Sequence, residues 1–247
     1  MANSSLRRLS WAGIEAIDGP WRLLVDPLEN VIPLRGFLGA PRTPLVPVTI
    51  DQHTWVLVTH LHPDHCDRHL LARIEPGQTF CHAPVATTLT AEGLTVVPLE
   101  LWQARQIGPF RVTAAPSHDW RGDDQVAWII ESDELRLIHC GDTIWHGSWY
   151  EIARRHAPFA VAFLPINGVV VELDGFTATD VPATLTPEQA IEAAMILRAG
   201  TACAIHHALF QNPPRYTEQP RAPGRFLSAG IRRGINAIAP RDGEEIS

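Results

Sequence analysis

Residues Trp55–Asp67, with the sequence WVLVTHLHPDHCD, decide both the fold and the chemistry of this chain. The first four are apolar, which predicts a buried strand. The segment then turns polar, and within a few residues it supplies His60, His62, Asp64 and His65. Imidazole nitrogen and carboxylate oxygen are ligands that zinc, manganese and iron accept. The stretch therefore predicts a metal site at the end of a buried strand.

The spacing of these four residues favours two metal positions over one. In extended backbone alternate side chains share a side, so His60 and His62 face the same way. Asp64 and His65 follow a turn at Pro63 and can face a second point. Single histidines in proteins usually lie on solvated surface loops. So dense a cluster directly after an apolar strand is better explained by metal binding.

Length and composition are those of an ordinary globular enzyme. The chain has 247 residues, of which 45% are hydrophobic and 19% charged. We expect one domain over residues 1–247. No apolar run is long enough to cross a bilayer, and the N-terminal residues lack the apolar core of a signal peptide. We therefore expect a cytoplasmic protein without membrane insertion.

Charge and cysteine content indicate which partners to expect. The net charge is −7, and the 20 basic residues, all arginine, are spread along the chain. A nucleic-acid groove needs clustered positive charge, so we expect a small-molecule substrate and no nucleic acid. The four cysteines form no CxxC pair, and we expect buried free thiols: Cys66, Cys81, Cys140 and Cys203. The sequence leaves the oligomeric state open, and a homo-oligomer is compatible with it.

Strands and helices alternate along the chain, and periodicity alone predicts a mixed α and β protein. The predicted strands form hairpins over Leu9–Asp26 and Gln125–Cys140 and single segments at Thr79–His82, Thr95–Leu99, Gln106–Ala114 (broken at Gly108), Phe159–Pro165, Ala202–Ile205 and Ile235–Ile238. The predicted helices are His69–Ile74, Pro84–Glu92, Phe226–Arg233 and one that runs from the capping box Thr186–Gln189 to about Arg198. The proline-rich segment Leu28–Asp51 is predicted to be a flap over the site or an irregular arm.

Polar residues follow three other predicted strands as the histidines follow Trp55–Val58. His118 stands after the strand Gln106–Ala114, and Asp142 follows the hairpin Gln125–Cys140. The third of these strands, Ala202–Ile205, is followed by His206 and His207, one of which is expected to bind metal. Asp142 also fits a different role, as the cap of a helix over 145–155.

The motif Thr59–His65, THLHPDH, resembles the THxHxDH signature of the metallo-β-lactamase superfamily. The resemblance implies an α+β fold, a four-layer αββα sandwich with the metal site between its two sheets. His118 and the Gly-Asp-Thr at Asp142 occupy the places of the third and fourth motifs. The implied ligands are His60, His62 and His118 on one metal, Asp64, His65 and His206 on the other, and Asp142 shared by both. Zinc is expected first, with manganese or iron as alternatives.

The resemblance also separates His206 from its neighbour and gives Asp26 a role. The family pattern has an apolar residue before the ligand, so His206 is the expected ligand. His207 then lies behind the ligands or faces the substrate. The Asp-Pro at Asp26 is implied to be structural, anchoring the turn beside the metal loop. Further candidates for the pocket wall are Asn167, His207, Trp120, Arg121 and Trp145.

A binuclear site of this kind implies hydrolysis, because two ions lower the pKa of bound water and polarise the substrate. Asp64 is the candidate proton shuttle. The leading prediction is a hydrolase of a small ester, lactone or phosphate ester. The segments around Leu164–Gly168, Thr186–Gln189 and Ile205–His207 resemble the branch that contains L-ascorbate-6-phosphate lactonase.

Three other functions are compatible with the same residues. The first is a phosphodiesterase that acts on a lipid or a nucleotide. The second is an iron-dependent oxidoreductase, since histidine and aspartate also suit iron. The third is a protein that binds metal and a ligand without turnover.

Overall fold

Two β-sheets form the centre of the molecule, whose computed structural model describes residues 4–133 and 135–246. The first sheet contains six strands in the order β1 to β6: Ser4–Arg8, Ile14–Asp18, Trp21–Val25, Thr54–Leu57, Thr79–His82 and Val96–Leu99. The strands β1, β2 and β3 pair antiparallel, and β3 to β6 pair parallel. The strand β1 was not predicted, because its sequence is polar and begins the chain.

The second sheet has seven strands in the order β15-β13-β11-β10-β9-β8-β7. Their bounds are Ala104–Ile107 (β7), Phe110–Pro116 (β8), Val126–Glu131 (β9), Arg136–His139 (β10), Val161–Pro165 (β11), Thr201–Ile205 (β13) and Asn236–Ile238 (β15). A separate two-stranded ribbon is formed by β12, Val170–Val171, and β14, Tyr216–Thr217. The predicted strand over 106–114 is in fact the hairpin β7–β8, which turns at Gly108 with φ +51°.

In the described part of the chain, five α-helices cover the outer faces of the sheets. Their bounds are Arg68–Leu71 (α1), Ala86–Ala91 (α2), Ser148–His156 (α3), Pro187–Ile196 (α4) and Ala222–Arg233 (α5). The capping box predicted for α4 is present: the Gln189 amide donates to Thr186 Oγ1, and the Thr186 amide donates to Gln189 Oε1. The helix α5 begins four residues before its predicted start. Among the described residues, no helix is long and apolar enough to cross a membrane.

Three hydrophobic clusters show how the layers are stacked. The largest lies between the sheets and joins residues such as Leu23, Leu57 and Phe80 to Trp128 and Phe163. A second cluster packs α3, α4 and α5 on the second sheet, and a third packs α1 and α2 on the first. Helix, sheet, sheet and helix therefore follow one another, which confirms the predicted αββα sandwich. All four cysteines are buried and unpaired, as predicted.

The carboxyl ends of the strands bring the polar segments to one edge. The strands β4, β8, β10 and β13 are followed by the histidine-rich loop and by the segments that carry Asp119, Asp142 and His206. Within each sheet these strands run in the same direction, so their carboxyl ends share an edge. The indole Nε1 of Trp128 donates to the carbonyl of Val58 at 3.1 Å and ties the two sheets together beside that edge.

The proline-rich segment between β3 and β4 folds over this edge. It contains one 3-10 turn, Ile32–Leu34, and buries Leu28 and Leu38. Asn212 Nδ2 donates to the carbonyl of Phe37 at 2.9 Å and fixes the segment to the far side of the site. Residues 31–38, which we call the arm, are therefore attached to the body of the protein.

Candidate metal centre

His60, His62 and Asp142 form the first group of side chains with ligand-type atoms. The three ligand atoms lie within 4.8 Å of one another. His60 Nε2 is 3.6 Å from Asp142 Oδ1, and His62 Nδ1 is 3.9 Å from Asp142 Oδ2. His60 and His62 thus face the same point, as the alternation along the strand predicts.

Asp64, His65 and His206 form the second group, also within 4.8 Å of one another. Asp64 Oδ2 is 3.6 Å from His65 Nε2 and 3.5 Å from His206 Nε2. Asp142 Oδ2 lies 3.9 Å from His65 Nε2, so the two oxygens of Asp142 face both groups. This is the geometry of a carboxylate placed between two neighbouring cation positions.

The separations between these atoms fit metal ligands and not hydrogen bonds. At 3.5–3.9 Å they are too long for hydrogen bonds. Ligands about 2.1 Å from a tetrahedral metal are roughly 3.4 Å apart. Several of the atoms are buried without a hydrogen-bond partner in the described part of the chain, a costly arrangement unless a cation binds them: His60 Nε2, His65 Nε2, His206 Nε2 and Asp142 Oδ1. The donor set therefore fits a pair of divalent metal ions.

A carboxylate behind the histidines fixes their orientation. The fully buried Asp26 accepts from the Thr59 amide at 2.8 Å and from Thr59 Oγ1 at 2.7 Å. Its Oδ2 also lies 2.7 Å from His65 Nδ1. A hydrogen bond on one ring nitrogen leaves the other free for a metal, and such partners commonly orient metal-binding histidines. The contacts agree with the structural role predicted for Asp26.

Trp11 contacts the second group from the turn between β1 and β2. Its Nε1 donates to Asp64 Oδ2 at 2.9 Å, and its ring centroid lies 4.0 Å from that of His206. The His206 amide donates to the carbonyl of Trp11 at 3.0 Å. Sequence reasoning missed this residue, because no motif surrounds it and the contact joins distant parts of the chain.

His207 occupies a different environment from His206. Its Nε2 lies 2.8 Å from Arg8 Nη1, and Arg8 also donates to the carbonyls of Trp11 and Pro240. His207 is buried behind the ligand groups and does not line the cavity in front of them. Of the two neighbouring histidines, the structure brings only His206 to Asp64.

The structure does not bring His118 into either group. Its side chain is exposed, and its Nε2 lies 3.3 Å from Ser148 Oγ. Asp119 is buried instead, with Oδ1 accepting from the amides of Arg121 and Asp123 and Oδ2 lying 3.9 Å from His62 Nε2. Oδ2 of Asp119 has no hydrogen-bond partner within residues 4–133 and 135–246.

The cause is the register of the loop after β8. Side chains alternate along extended backbone, so burial of Ser117 and Asp119 leaves His118 outside. Ser117 Oγ donates to the carbonyl of Cys140 at 2.9 Å and fixes this register. In the sequence, Asp119 could have been noticed because it is a carboxylate directly after the predicted ligand His118.

Charges within the site shift the pKa values of its groups strongly. Burial lowers the pKa of His60 to about 3. Burial acts in the same direction on His62, but the nearby carboxylate of Asp142 outweighs it and raises the pKa of His62 to about 10. For His65, burial is outweighed by the charge of Asp64 and the hydrogen bond to Asp26, and the pKa rises to about 9. Two protonated histidines thus balance the buried carboxylates when no metal is bound.

We expect the metal-stripped protein to lose thermal stability as pH rises from 6.5 to about 8.5. Over this range His62 and His65 hold protons in the folded state that the unfolded chain releases. Each group then costs about 1.4 kcal/mol per pH unit. The melting temperature in excess chelator, measured at several pH values, checks this. The metal-loaded protein is the control and should show little change, because bound ligands carry no proton; a flat profile in chelator would contradict the prediction.

An apolar cavity of about 200 Å³ opens in front of both groups. The arm lines one side with Leu34, Phe37 and Leu38. The rest of the lining includes His62, Asp64, Asp142 and His206 together with Trp120, Arg121, Val169, Val171, Leu173, Thr184 and Tyr216.

The residues proposed for the pocket wall divide between this cavity and other places. Trp120 and Arg121 line it. Trp145 is 40% exposed and lines a neighbouring surface groove. Asn167 is fully buried beneath the cavity, where its Nδ2 donates to Tyr216 Oη at 2.8 Å.

The fold and the site define a metal-dependent hydrolase with the metallo-β-lactamase fold. The family model described as the beta-lactamase superfamily domain matches residues 21–207, more than half of the chain, and the chain belongs to this family. A UPF0173 metal-dependent hydrolase of Symbiobacterium thermophilum is 28% identical over 214 residues, which cover 83% of this chain and 84% of the relative.

Solved structures share the fold at low sequence identity. An isothiocyanate hydrolase from Delia radicum gut bacteria superposes with a TM-score of 0.72 at 17% identity, covering 98% of both chains. CmlA, a diiron β-hydroxylase from Streptomyces venezuelae, gives a TM-score of 0.70 at 15% identity and covers 99% of this chain but 54% of that protein. At such identities these structures support the fold alone.

Proposed function

We propose that the chain hydrolyses a small uncharged ester or lactone that carries an apolar group. The observation that carries the proposal is the position of Asp142 between two groups of ligand-type side chains at the base of an apolar cavity. A pair of divalent ions held there would supply a water-derived nucleophile near neutral pH and would polarise the substrate oxygen.

The ligand set that we propose differs from the sequence prediction at one position. His60, His62 and Asp142 would hold one ion, and Asp64, His65, His206 and Asp142 the other. The buried free oxygen of Asp119, and not His118, would complete the first ion's ligands. Each ion would then have two imidazoles and two carboxylates.

Asp64 keeps the catalytic role predicted for it. Burial would raise its pKa, but the charge of His65 and the neighbouring imidazole of His206 hold the pKa well below its usual value, so the group is ionised. Its carboxylate lines the cavity and is oriented by Trp11. Asp64 is therefore placed to receive a proton from the attacking water and to pass it towards solvent.

The lining of the cavity favours an uncharged substrate over a phosphate ester. Beyond the two ions, the remaining oxygens of a phosphate group need further cations or donors, and the one arginine of the described lining is engaged elsewhere. Arg121 Nη2 pairs with Asp123, which also lies 3.0 Å from His62 Nε2. These contacts argue against a phosphorylated substrate such as L-ascorbate 6-phosphate.

The size of the cavity gives the scale of the apolar group. A cavity of about 150 Å³ holds one benzene molecule, so about 200 Å³ suits a short acyl chain or a single ring. Isothiocyanates, on which the Delia radicum neighbour acts by its name, are also small uncharged electrophiles. That neighbour is compatible with the proposed class of substrate.

Matched chromogenic substrates test the proposal. We expect the metal-loaded protein to hydrolyse p-nitrophenyl butyrate at least about 100-fold more efficiently, in kcat/KM, than p-nitrophenyl phosphate, because only the ester avoids placing two charges in an apolar cavity. Truncation of Phe37 to alanine should raise KM for the butyrate by roughly tenfold. Exposed Phe176→Ala is the control. Preference for the phosphate, or metal-loaded protein without turnover of esters and lactones, would contradict the proposal.

A second candidate, iron-dependent oxidation, is favoured by the donor set. Two imidazoles and two carboxylates per ion suit iron or manganese at least as well as zinc. Elemental analysis of the purified protein separates these metals. Bound iron together with oxygen consumption would favour oxidation over hydrolysis.

A further inference from the structure

A buried hydrogen-bonded chain leads from Asn167 to the wall of the cavity. Asn167 Nδ2 donates to Tyr216 Oη at 2.8 Å, and Asn167 Oδ1 accepts from Thr184 Oγ1 at 2.5 Å. The asparagine has no exposed surface, whereas Tyr216 and Thr184 both line the cavity. Both ends of the Asn167 amide are thus used to position two residues that face the substrate space.

The ring of Tyr216 is fixed by its surroundings. Its residue pairs with Val171 in the ribbon β12–β14, and it exchanges two backbone hydrogen bonds with Asn212, both of 2.9 Å. Its ring centroid lies 5.8 Å from that of Phe37 and 6.3 Å from that of Trp11. Tyr216 is therefore held between the arm and the residue that orients Asp64.

The hydrogen of the Tyr216 hydroxyl is available to a ligand. The oxygen accepts from Asn167, so its own hydrogen must point elsewhere. Among the described residues no acceptor receives it. Burial and the charge of Asp64 raise the pKa of Tyr216 well above its usual value, so the hydroxyl keeps its proton at working pH.

Other donors in the cavity are committed to partners. Arg121 pairs with Asp123, and the hydroxyl hydrogen of Thr184 is directed to Asn167. A substrate bound beside Asp64 and Asp142 therefore meets Tyr216 as a neutral, preoriented donor. Removal of such a donor costs a hydrolytic enzyme about 100-fold or more in kcat.

We propose that Tyr216 is a catalytic residue whose hydroxyl donates a hydrogen bond to the substrate oxygen on which negative charge develops. The inference rests on the proposed hydrolysis of an uncharged ester or lactone. The hydroxyl keeps its hydrogen throughout, so no proton is transferred and no further reactant is needed. Asn167 acts as a positioning residue, because it donates to the tyrosine oxygen and so leaves the hydroxyl hydrogen free to be donated to a ligand.

The test compares Tyr216→Phe with Tyr150→Phe, since these are the two tyrosines of the chain and Tyr150 is 64% exposed. For p-nitrophenyl butyrate we expect Tyr216→Phe to lower kcat by about 100-fold with KM within about twofold. Binding of methyl n-butylphosphonate, a tetrahedral analogue that carries one negative charge as the transition state of ester hydrolysis does, to the metal-loaded protein is measured by calorimetry. Its Kd should weaken by at least tenfold in Tyr216→Phe and stay unchanged in Tyr150→Phe.

Metal content and melting temperature of each variant separate this role from a structural one. If Tyr216→Phe binds metal and the phosphonate as the wild type does and retains its kcat, the inference is overturned and the hydrolase proposal stands. If the wild type binds the phosphonate through Tyr216 but hydrolyses no ester, the proposed function fails and the hydrogen bond stands. A wild type that neither hydrolyses esters nor binds the phosphonate overturns both.

Discussion

Replacement of Asp142 by asparagine is expected to empty the metal centre. The two oxygens of Asp142 face His60 on one side and His65 on the other, at 3.6 and 3.9 Å. An amide of the same shape removes the negative charge and gives one side a donor where a ligand is needed. We expect metal content to fall from about two equivalents to well below one, and hydrolysis to fall by at least about 1,000-fold.

Elemental analysis and the rate of ester hydrolysis measure this effect, with exposed Asp124→Asn as the matched control. The circular dichroism spectrum should stay unchanged, because Asp142 makes no hydrogen bond to the backbone of the sheets among the bonds described. Retention of two equivalents in Asp142→Asn would show that the carboxylate does not bridge the ions.

The adjacent residues His118 and Asp119 provide the second large effect. Asp119→Asn should remove about one equivalent of metal and lower hydrolysis by about 100-fold, because the free oxygen beside His62 is lost. His118→Ala should leave metal content and kcat within about twofold of the wild type, because its exposed ring contacts Ser148 on the outside.

The pair is informative because the two changes lie one residue apart in the same loop. Any general disturbance of the loop would affect both variants, and a specific ligand role would affect one. A loss of metal in His118→Ala with none in Asp119→Asn would restore the ligand predicted from the sequence. A third variant, Asp119→His, should keep two equivalents and shift metal preference towards zinc, since it exchanges an oxygen for a nitrogen ligand.

Much of the fold and half of the site can be predicted from one local rule. The rule is that polar residues directly after apolar strands lie together at the carboxyl-terminal edge of the sheets. The rule works for His60, His62, Asp142 and His206, because each directly follows a strand whose direction is fixed by its sheet. The four-layer arrangement itself came from the resemblance. Alternation of strands and helices does not specify which faces are covered.

The features that sequence reasoning missed depend on register and on distant contacts. A register shift of one residue in the loop after β8 would bury His118 and expose Asp119. Local sequence propensity does not determine that register. Trp11 reaches Asp64 across more than fifty positions of the chain. The two hydrogen bonds that Asn167 makes beneath the cavity, to Tyr216 and Thr184, likewise join distant parts of the chain.

The division of the site between segments has a consequence for how such proteins diversify. The proposed ligands come from the ends of core strands, whereas the arm and the ribbon β12–β14 form much of the apolar wall and carry none of them. Changes in those segments can therefore alter which molecule fits without disturbing the ions. In protein engineering, residues 31–38 can be randomised to change substrate selectivity. The metal content of each variant then shows whether the metal centre is preserved.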